Sequence, residues 1–185
     1  MNVTTPLQVA VFANGCFWCT EAVFTMLKGV HSVVSGYTGG TVENPTYEQV
    51  CETNTGHAEA IKIEYDSSII TFDDLLAVFF NTHDPTTRNR QGNDVGTQYR
   101  SVIFFADEEQ KQKAESLIAE LNATNAYEKP VVTEVAQLGT FYPAETYHQG
   151  YYRNHSDQAY CQIVIAPKLD TLQKKFAQLL KDSNQ

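Results

Sequence analysis

Close to the start of the chain, a strand pattern and a helix pattern stand only a short turn apart. Residues 7–12 read Leu-Gln-Val-Ala-Val-Phe, which is typical of a strand, and Asn14-Gly15 supplies a turn. Residues 17–27 contain helix formers and neither Gly nor Pro, which predicts a helix. Cys16 is therefore predicted to lie at or near a helix N-terminus.

A cysteine in this position has a chemical meaning. Unpaired backbone N–H groups and the positive end of the helix dipole favour a thiolate, which is the nucleophilic form of the side chain. Cys19 completes a Cys-x-x-Cys pair, which is typical of redox or metal chemistry. The pattern predicts a thiol nucleophile at Cys16, with Cys19 as a resolving thiol, a metal ligand or a packing residue.

The remaining patterns alternate between strands and helices. Strands are predicted at residues 31–37, 59–65, 102–105 and 131–137. Helical spacing is found around residues 72–79, 107–121, where Asp107 can act as the N-cap, and 169–180. Long Gly-, Asn- and Tyr-rich loops at residues 38–46, 83–98 and 139–160 separate them. This order predicts an α+β fold, a two-layer α/β sandwich with a mixed sheet and a split β-α-β (ferredoxin-like) core, and long loops that are functional.

Composition limits the possibilities further. The chain has 185 residues, 42% of them hydrophobic, which is enough for one core, so residues 1–185 are expected to form a single domain. The net charge of −9 argues against nucleic acid or an anionic membrane as the main partner. Residues 1–6 lack the pattern of a signal peptide, and no apolar run has transmembrane length. We therefore expect a cytoplasmic, reducing location, in which the four cysteines do not form structural disulfides.

A buried carboxyl is predicted at Glu59. By strand parity it points to the same face as Ile61 and Ile63, and burial there raises the pKa of a carboxyl. A neutral acid near a thiol is a proton donor. The alternative is a carboxylate at a strand end that accepts backbone hydrogen bonds.

Metal binding has little support in the sequence. A zinc site requires a second closely spaced ligand pair, which neither Cys51 nor Cys161 has, and the five histidines form no ligand-spaced pair. No metal site is predicted.

The combination of motifs strongly resembles the A-type peptide methionine sulfoxide reductases between about Val9 and Lys168. Six motifs in order carry this resemblance, followed by Ala144-Glu145, His148-Gln149 and Tyr160-Cys161. The six are Gly15-Cys16-Phe17-Trp18, Gly36-Tyr37-Thr38-Gly39-Gly40, Asn44-Pro45-Thr46-Tyr47, Gly56-His57-Ala58-Glu59, His83-Asp84-Pro85 and the run from Arg90 to Arg100.

The resemblance implies a peptide-methionine (S)-S-oxide reductase, which repairs the S epimer of methionine sulfoxide, free or in proteins. Cys16 matches the nucleophile that attacks the sulfoxide sulfur and becomes a sulfenic acid, and Glu59 matches the acid that protonates the oxygen. The resemblance implies no cofactor, with thioredoxin, or dithiothreitol in the test tube, as the reductant. We also expect a monomer.

Five further side chains carry over from the family, and each has a plainer alternative. Tyr47 and Tyr99 match hydroxyls that bind the sulfoxide oxygen, and Asp94 matches a residue that helps to hold a water in the substrate site. Phe17 and Trp18 match the pocket for the substrate methyl group. Taken alone, the tyrosines and the aromatic pair read as packing residues, and Asp94 as part of a polar loop.

The resolving thiol is where this chain departs from the family. Many members have Gly at the position of Cys19 and resolve the sulfenic acid with a cysteine in a loose C-terminal tail. Here Cys161 has the comparable position, but residues 162–165 read as ordered. Cys16 and Cys19 lie on neighbouring turns of one helix face, so we favour Cys19 over Cys161 and place Cys51 third.

Two other functions compete with the reductase. A thioredoxin-like thiol–disulfide exchange protein would use Cys16 and Cys19 but would leave Glu59, Asp94 and the tyrosines without a task. A metal-stapled interaction domain is disfavoured by the missing second ligand pair.

Overall fold

A six-stranded sheet forms the centre of the protein. The computed structural model describes residues 6–52 and 54–182. The first five residues, which bear on the expected absence of an export signal, lie outside that range. The strands are β1 (Gln8–Asn14), β2 (Val30–Thr38), β3 (Ala58–Tyr65), β6 (Ser101–Phe105), β7 (Glu134–Gln137) and β8 (Tyr142–Pro143), with a separate hairpin of β4 (Arg90–Gln91) and β5 (Asp94–Val95).

The sheet is mixed. Its strand order is β7-β6-β1-β3-β2-β8. All neighbours pair antiparallel except β6 and β7, which are parallel. A mixed sheet with helices is what the sequence predicts.

Helices connect most of these strands. They are α1 (Phe17–Thr25), α2 (Tyr47–Glu52), α3 (Phe72–Asn81), α4 (Glu108–Ala123), α5 (Tyr151–Asn154) and α6 (Ala166–Phe176). Side-chain N-caps fix where two of these helices, α3 and α4, begin. The Thr71 hydroxyl accepts from the Asp74 N–H in a capping box, and the predicted cap Asp107 accepts from the Gln110 N–H.

Strand parity divides the sheet into two apolar faces. Phe12, Ile61, Ile63 and Ile103 lie on the face that packs against the helices and forms the larger core. The opposite face carries a smaller cluster that includes Val11, Ala60, Val102 and Phe104, with Leu138 and Phe141 packed against it. Glu59 follows the parity of Ile61 and is buried on the helix face, so the strand that builds the core also positions this carboxyl.

Several boundaries differ from the sequence-based prediction. The strand predicted at residues 131–137 begins at Glu134, and the helix predicted up to residue 180 ends at Phe176, followed by a 3₁₀ turn over Ala177–Leu179. The loop 83–98 contains the β4–β5 hairpin, and the coil 139–160 contains β8, a 3₁₀ turn and α5. These pieces are two to four residues long, too short to show a periodicity in the sequence.

Among the residues that the structure describes, no helix has the length and apolar character needed to cross a membrane.

Candidate active site

The turn between β1 and α1 places Cys16 as the N-cap of the helix. Its carbonyl accepts the Cys19 N–H at 3.1 Å and the Thr20 N–H at 3.4 Å. The Thr20 hydroxyl donates to the Asn14 side chain and so ties the helix to the end of the strand. Gly15 has φ +100°, and a Cβ there would lie 2.7 Å from the Gln91 side chain, so only glycine fits this turn.

The Glu59 carboxyl lies at the same helix start. Glu59 is 2% exposed, and its Oε2 accepts the Phe17 backbone N–H at 3.0 Å. Burial raises the pKa of Glu59 to about 8, with smaller contributions from the charges of Asp94 and Cys19, although the Phe17 bond opposes them. Glu59 is therefore largely protonated at neutral pH and able to donate a proton, as strand parity predicts.

The two thiols of the Cys-x-x-Cys pair have opposite shifts. The hydrogen bond to Cys19, burial and the nearby Glu59 raise the pKa of the Cys16 thiol well above its ordinary range. The same hydrogen bond lowers the pKa of Cys19 to about 7. The raised pKa of Cys16 runs against the thiolate that its place at the helix N-terminus predicts, because the hydrogen bond to Cys19, burial and the charge of Glu59 all favour the protonated thiol.

A phenol joins the thiols to the polar loop. The Tyr160 hydroxyl donates to Asp94 Oδ2 at 3.1 Å and lies 3.6 Å from Cys19 Sγ. Burial and the charges of Cys16 and Cys19 raise the pKa of Tyr160 far above its ordinary value. Tyr160 lies in the Tyr-Cys motif beside Cys161, but no local sequence pattern predicts a role for it.

Two phenols on other elements, those of Tyr47 and Tyr99, lie near enough to Glu59 for its charge to act on them. Burial is the first cause that raises the pKa of both phenols, and the charge of Glu59 acts on each. The charges of Cys16 and Asp94 also raise the pKa of Tyr99. Both hydroxyls are therefore protonated at neutral pH and able to donate hydrogen bonds.

An aromatic wall adjoins Cys16. Trp18 Nε1 donates to His148 Nδ1 at 3.0 Å, and the indole stacks on Tyr151 with ring centroids 3.6 Å apart and planes 5° apart. Phe17 is buried, with its ring centroid 5.0 Å from that of His148 and 5.7 Å from that of Tyr37. Phe17 and Trp18 are predicted site residues, whereas no local sequence pattern predicts that Tyr151 and His148 pack against them.

The other two cysteines occupy different surroundings. Cys161 is fully buried in a π-helical turn over Cys161–Ile165 that continues into α6. Burial is the main cause that raises the pKa of Cys161, and the charge of Cys19 adds to it. Cys51, in α2, is half-buried and hydrogen-bonded to the Tyr47 side chain. The four cysteines are free thiols.

Within residues 6–52 and 54–182, no group of three or more His, Cys, Asp or Glu side chains could hold a metal ion.

Comparison with known proteins decides the family. The model of the family described as peptide methionine sulfoxide reductase matches residues 8–180. The chain belongs to this family.

Curated relatives agree over nearly the whole chain. The peptide methionine sulfoxide reductase MsrA of Acinetobacter baumannii strain SDF is 54% identical over 176 residues, which is 95% of this chain and 99% of that protein. The MsrA of Chromobacterium violaceum is 50% identical and covers 95% of this chain and 100% of its own. The resemblance inferred from the ordered motifs is confirmed, and the chain is an oxidoreductase of this family.

Solved structures of related proteins share the fold. Methionine sulfoxide reductase A of Corynebacterium diphtheriae has a TM-score of 0.78 at 33% identity, over 84% of this chain and 78% of that chain. Mxr1 from Saccharomyces cerevisiae in reduced form has a TM-score of 0.76 at 29% identity, over 84% of this chain and 90% of its own.

Proposed function

We propose that this protein reduces the S epimer of methionine sulfoxide, free or in proteins, to methionine by a thiol mechanism that needs no metal or cofactor. The observation that carries this proposal is the buried Glu59 carboxyl, which accepts the Phe17 N–H at the start of the helix that follows Cys16 and contains Cys19. Sulfoxide oxygen leaves sulfur only when it is protonated, so a thiol and an acid are needed together.

In the first step Cys16 sulfur attacks the sulfoxide sulfur. The Cys16 proton passes to Cys19, whose thiolate forms near pH 7, while Glu59 protonates the sulfoxide oxygen. The oxygen ends on Cys16 as a sulfenic acid, and the substrate leaves as a thioether. Cys16 is oxidised by two electrons and the substrate sulfur is reduced by two.

The surrounding side chains bind the substrate. Tyr47 and Tyr99 donate hydrogen bonds to the sulfoxide oxygen, and these bonds strengthen as negative charge builds there. Asp94, bonded to Tyr160, helps to hold a water in the substrate site. Phe17 and Trp18 form the apolar pocket for the substrate methyl group.

A second thiol then resolves the sulfenic acid. We assign this step to Cys19, with Cys161 as the alternative. Cys19, which took up the Cys16 proton in the first step, attacks the Cys16 sulfur and passes that proton to the sulfenic oxygen. The S–O bond breaks, the oxygen leaves as water, and a Cys16–Cys19 disulfide forms. Thioredoxin, or dithiothreitol in the test tube, supplies two electrons to reopen it.

We infer that residues 1–185 form one domain with a two-layer, split β-α-β core. Two arrangements support this. Helix α1 connects β1 to β2, and β3 lies between these two strands in the sheet. Helix α3 connects β3 to β6, and β1 lies between those two strands. We further propose that the protein acts as a monomer in the cytoplasm, where a thiol cycle of this kind is kept reduced.

Separate assays of the two sulfoxide epimers test the reaction. We expect dithiothreitol-dependent release of methionine from the dimethylaminoazobenzene-labelled S epimer and none from the R epimer. The thioredoxin-like alternative predicts that neither epimer is reduced while a protein disulfide is. That result would overturn the proposal.

A further inference from the structure

We propose that Glu21 is a positioning residue that holds the aromatic wall of the site. Its carboxylate fixes the backbone of residues 150–151, and this contact keeps the Tyr151 ring on the face of Trp18. The consequence for catalysis rests on the proposed function, in which Trp18 lines the methyl pocket. The structural part does not.

The contact is a buried carboxylate on backbone amides. Glu21 is 6% exposed on α1, and the Gly150 N–H donates to its Oε1 at 2.8 Å and its Oε2 at 2.9 Å. The Tyr151 backbone N–H also bonds to this carboxylate, and the charge of Arg153 acts on it. Burial raises the pKa of Glu21, and the hydrogen bonds from Gly150 and Tyr151 and the charge of Arg153 act against this rise. An apolar residue at this position would leave the two amides without an acceptor.

The bonds join the helix that carries the nucleophile to a segment far away in the chain. Gly150 and Glu21 are 129 residues apart. Gly150 has φ +63°, a left-handed conformation that turns the chain into α5, so Tyr151 follows directly from the anchored amide. The position of the Tyr151 ring therefore depends on the Glu21 carboxylate.

The anchored segment carries two of the groups around Trp18. Tyr151 stacks on the indole from one side, and His148 accepts its N–H. The Gln149 side chain fastens the same segment to the Ser35 N–H and C=O of β2. Without Glu21, the Gln149 bonds remain but the Gly150 and Tyr151 amides lose their acceptor, and the segment is free to shift relative to α1.

Glu21 would position the aromatic wall without taking part in the reaction itself. Glu21 is on the helix turn after Cys16 and donates no proton to the substrate, so its loss leaves the thiols and Glu59 in place. A displacement of the wall weakens substrate binding, and misplacement by about 1 Å can cost up to about a hundredfold in rate.

Trp18 provides a direct readout because it is the single tryptophan of the chain. The test compares Glu21→Leu, which removes the acceptor, with Glu21→Gln, which keeps one acceptor oxygen. Gln110→Leu is the matched control. Gln110 lies on α4, away from the site, is 5% exposed, accepts the Ala106 N–H and donates to the Val9 carbonyl of β1. Acrylamide quenching of Trp18 fluorescence and steady-state kinetics with free methionine S-sulfoxide are measured for each.

We expect quenching to increase in Glu21→Leu and kcat/KM to fall by roughly tenfold, chiefly through KM, with Glu21→Gln intermediate. Gln110→Leu should lose stability but keep both the Trp18 signal and KM. If Glu21→Leu does not fold, Glu21→Gln decides by the same measurements. Unchanged quenching and KM in a folded Glu21 variant would overturn the proposal. A wild-type protein inactive on sulfoxide would instead contradict the proposed function, while the Trp18 signal would still decide the role of Glu21.

Discussion

At the residue scale, the start of α1 sets the order of protonation. Glu59 accepts the Phe17 N–H at this helix start, and burial keeps the carboxyl largely protonated at neutral pH. The contact between the two thiols raises the pKa of Cys16 and lowers that of Cys19 to about 7. The Glu59 carboxyl and the Cys16 thiol are therefore both protonated and neutral before substrate binds, and Cys19 is the group that can accept a proton.

Cys16→Ser should abolish reduction of the S epimer and leave the fold intact. Serine replaces sulfur by oxygen at the helix N-cap, where a hydroxyl is well tolerated, but it cannot form a sulfenic acid. Turnover with dithiothreitol and circular dichroism check the two statements, and Cys51→Ser is the matched control that should keep most of the activity. Near-normal turnover in folded Cys16→Ser would remove the central assignment.

Glu59→Gln should slow sulfoxide cleavage by roughly a hundredfold, the usual scale for losing a general acid. In the wild-type protein the single-turnover rate should fall as pH rises through about 8, where Glu59 loses its proton, and this decline should be absent from Glu59→Gln. Glu59→Asp should lose less if the shorter acid still reaches the oxygen. An unchanged rate in Glu59→Gln would mean that the proton comes from another group.

The raised pKa of Glu59 also predicts that the free energy of unfolding of the wild-type protein falls as pH rises. Because the pKa of Glu59 is raised from 4.5 to about 8 on folding, its favourable contribution is complete below pH 4.5 and is lost as pH rises to about 8. Glu59→Gln should therefore gain stability relative to the wild type between these two pH values. Urea unfolding at both ends of the range measures this, and a constant difference would contradict the raised pKa.

At the scale of elements, the resolving step depends on α1 and on the turn at Cys161–Ile165. Cys19 lies one turn after Cys16 on the same helix, and closing that pair requires only local unwinding. Cys161 is held in a π-helical turn that is continuous with α6 and carries fully buried Ile165, so its approach to Cys16 requires this element to move.

We therefore expect a Cys16–Cys19 disulfide after oxidation with a stoichiometric amount of methionine sulfoxide. Peptide mapping by mass spectrometry identifies the pair. Cys161→Ser should retain thioredoxin-linked turnover, whereas Cys19→Ser should accumulate the sulfenic acid. A Cys16–Cys161 peptide together with full turnover in Cys19→Ser would assign the resolving step to Cys161.

At the scale of the whole molecule, the helix face of the sheet carries most of the apolar burial. Phe79 of α3 is fully buried, and its ring centroid lies 5.1 Å from that of Phe12 on β1. Phe79→Ala should lower the free energy of unfolding by about 3–5 kcal/mol, because it removes apolar contacts and leaves a cavity. Ile163→Ala, at a side chain that is 73% exposed, should stay within about 0.5 kcal/mol of the wild type. Denaturant titration compares the two, and equal losses would contradict this division of the core.

The sequence by itself determined the features that depend on near neighbours. The turn at Asn14-Gly15, the Asp107 cap and the alternation around Glu59 are local signals, because hydrogen bonding and side-chain direction within a strand or a helix turn repeat with a fixed period. The ordered motifs also sufficed for the family.

Only the tertiary structure decided how distant groups share protons and partners. Tyr160 reaches Asp94 over 66 residues and Glu21 reaches Gly150 over 129, and no periodicity in the chain relates such positions. The hydrogen bond between Cys16 and Cys19 is local, but burial and the charge of Glu59 on another strand also raise the pKa of Cys16. A pKa depends on the groups and the solvent around a side chain in space, and folding sets these surroundings through contacts that sequence spacing does not encode.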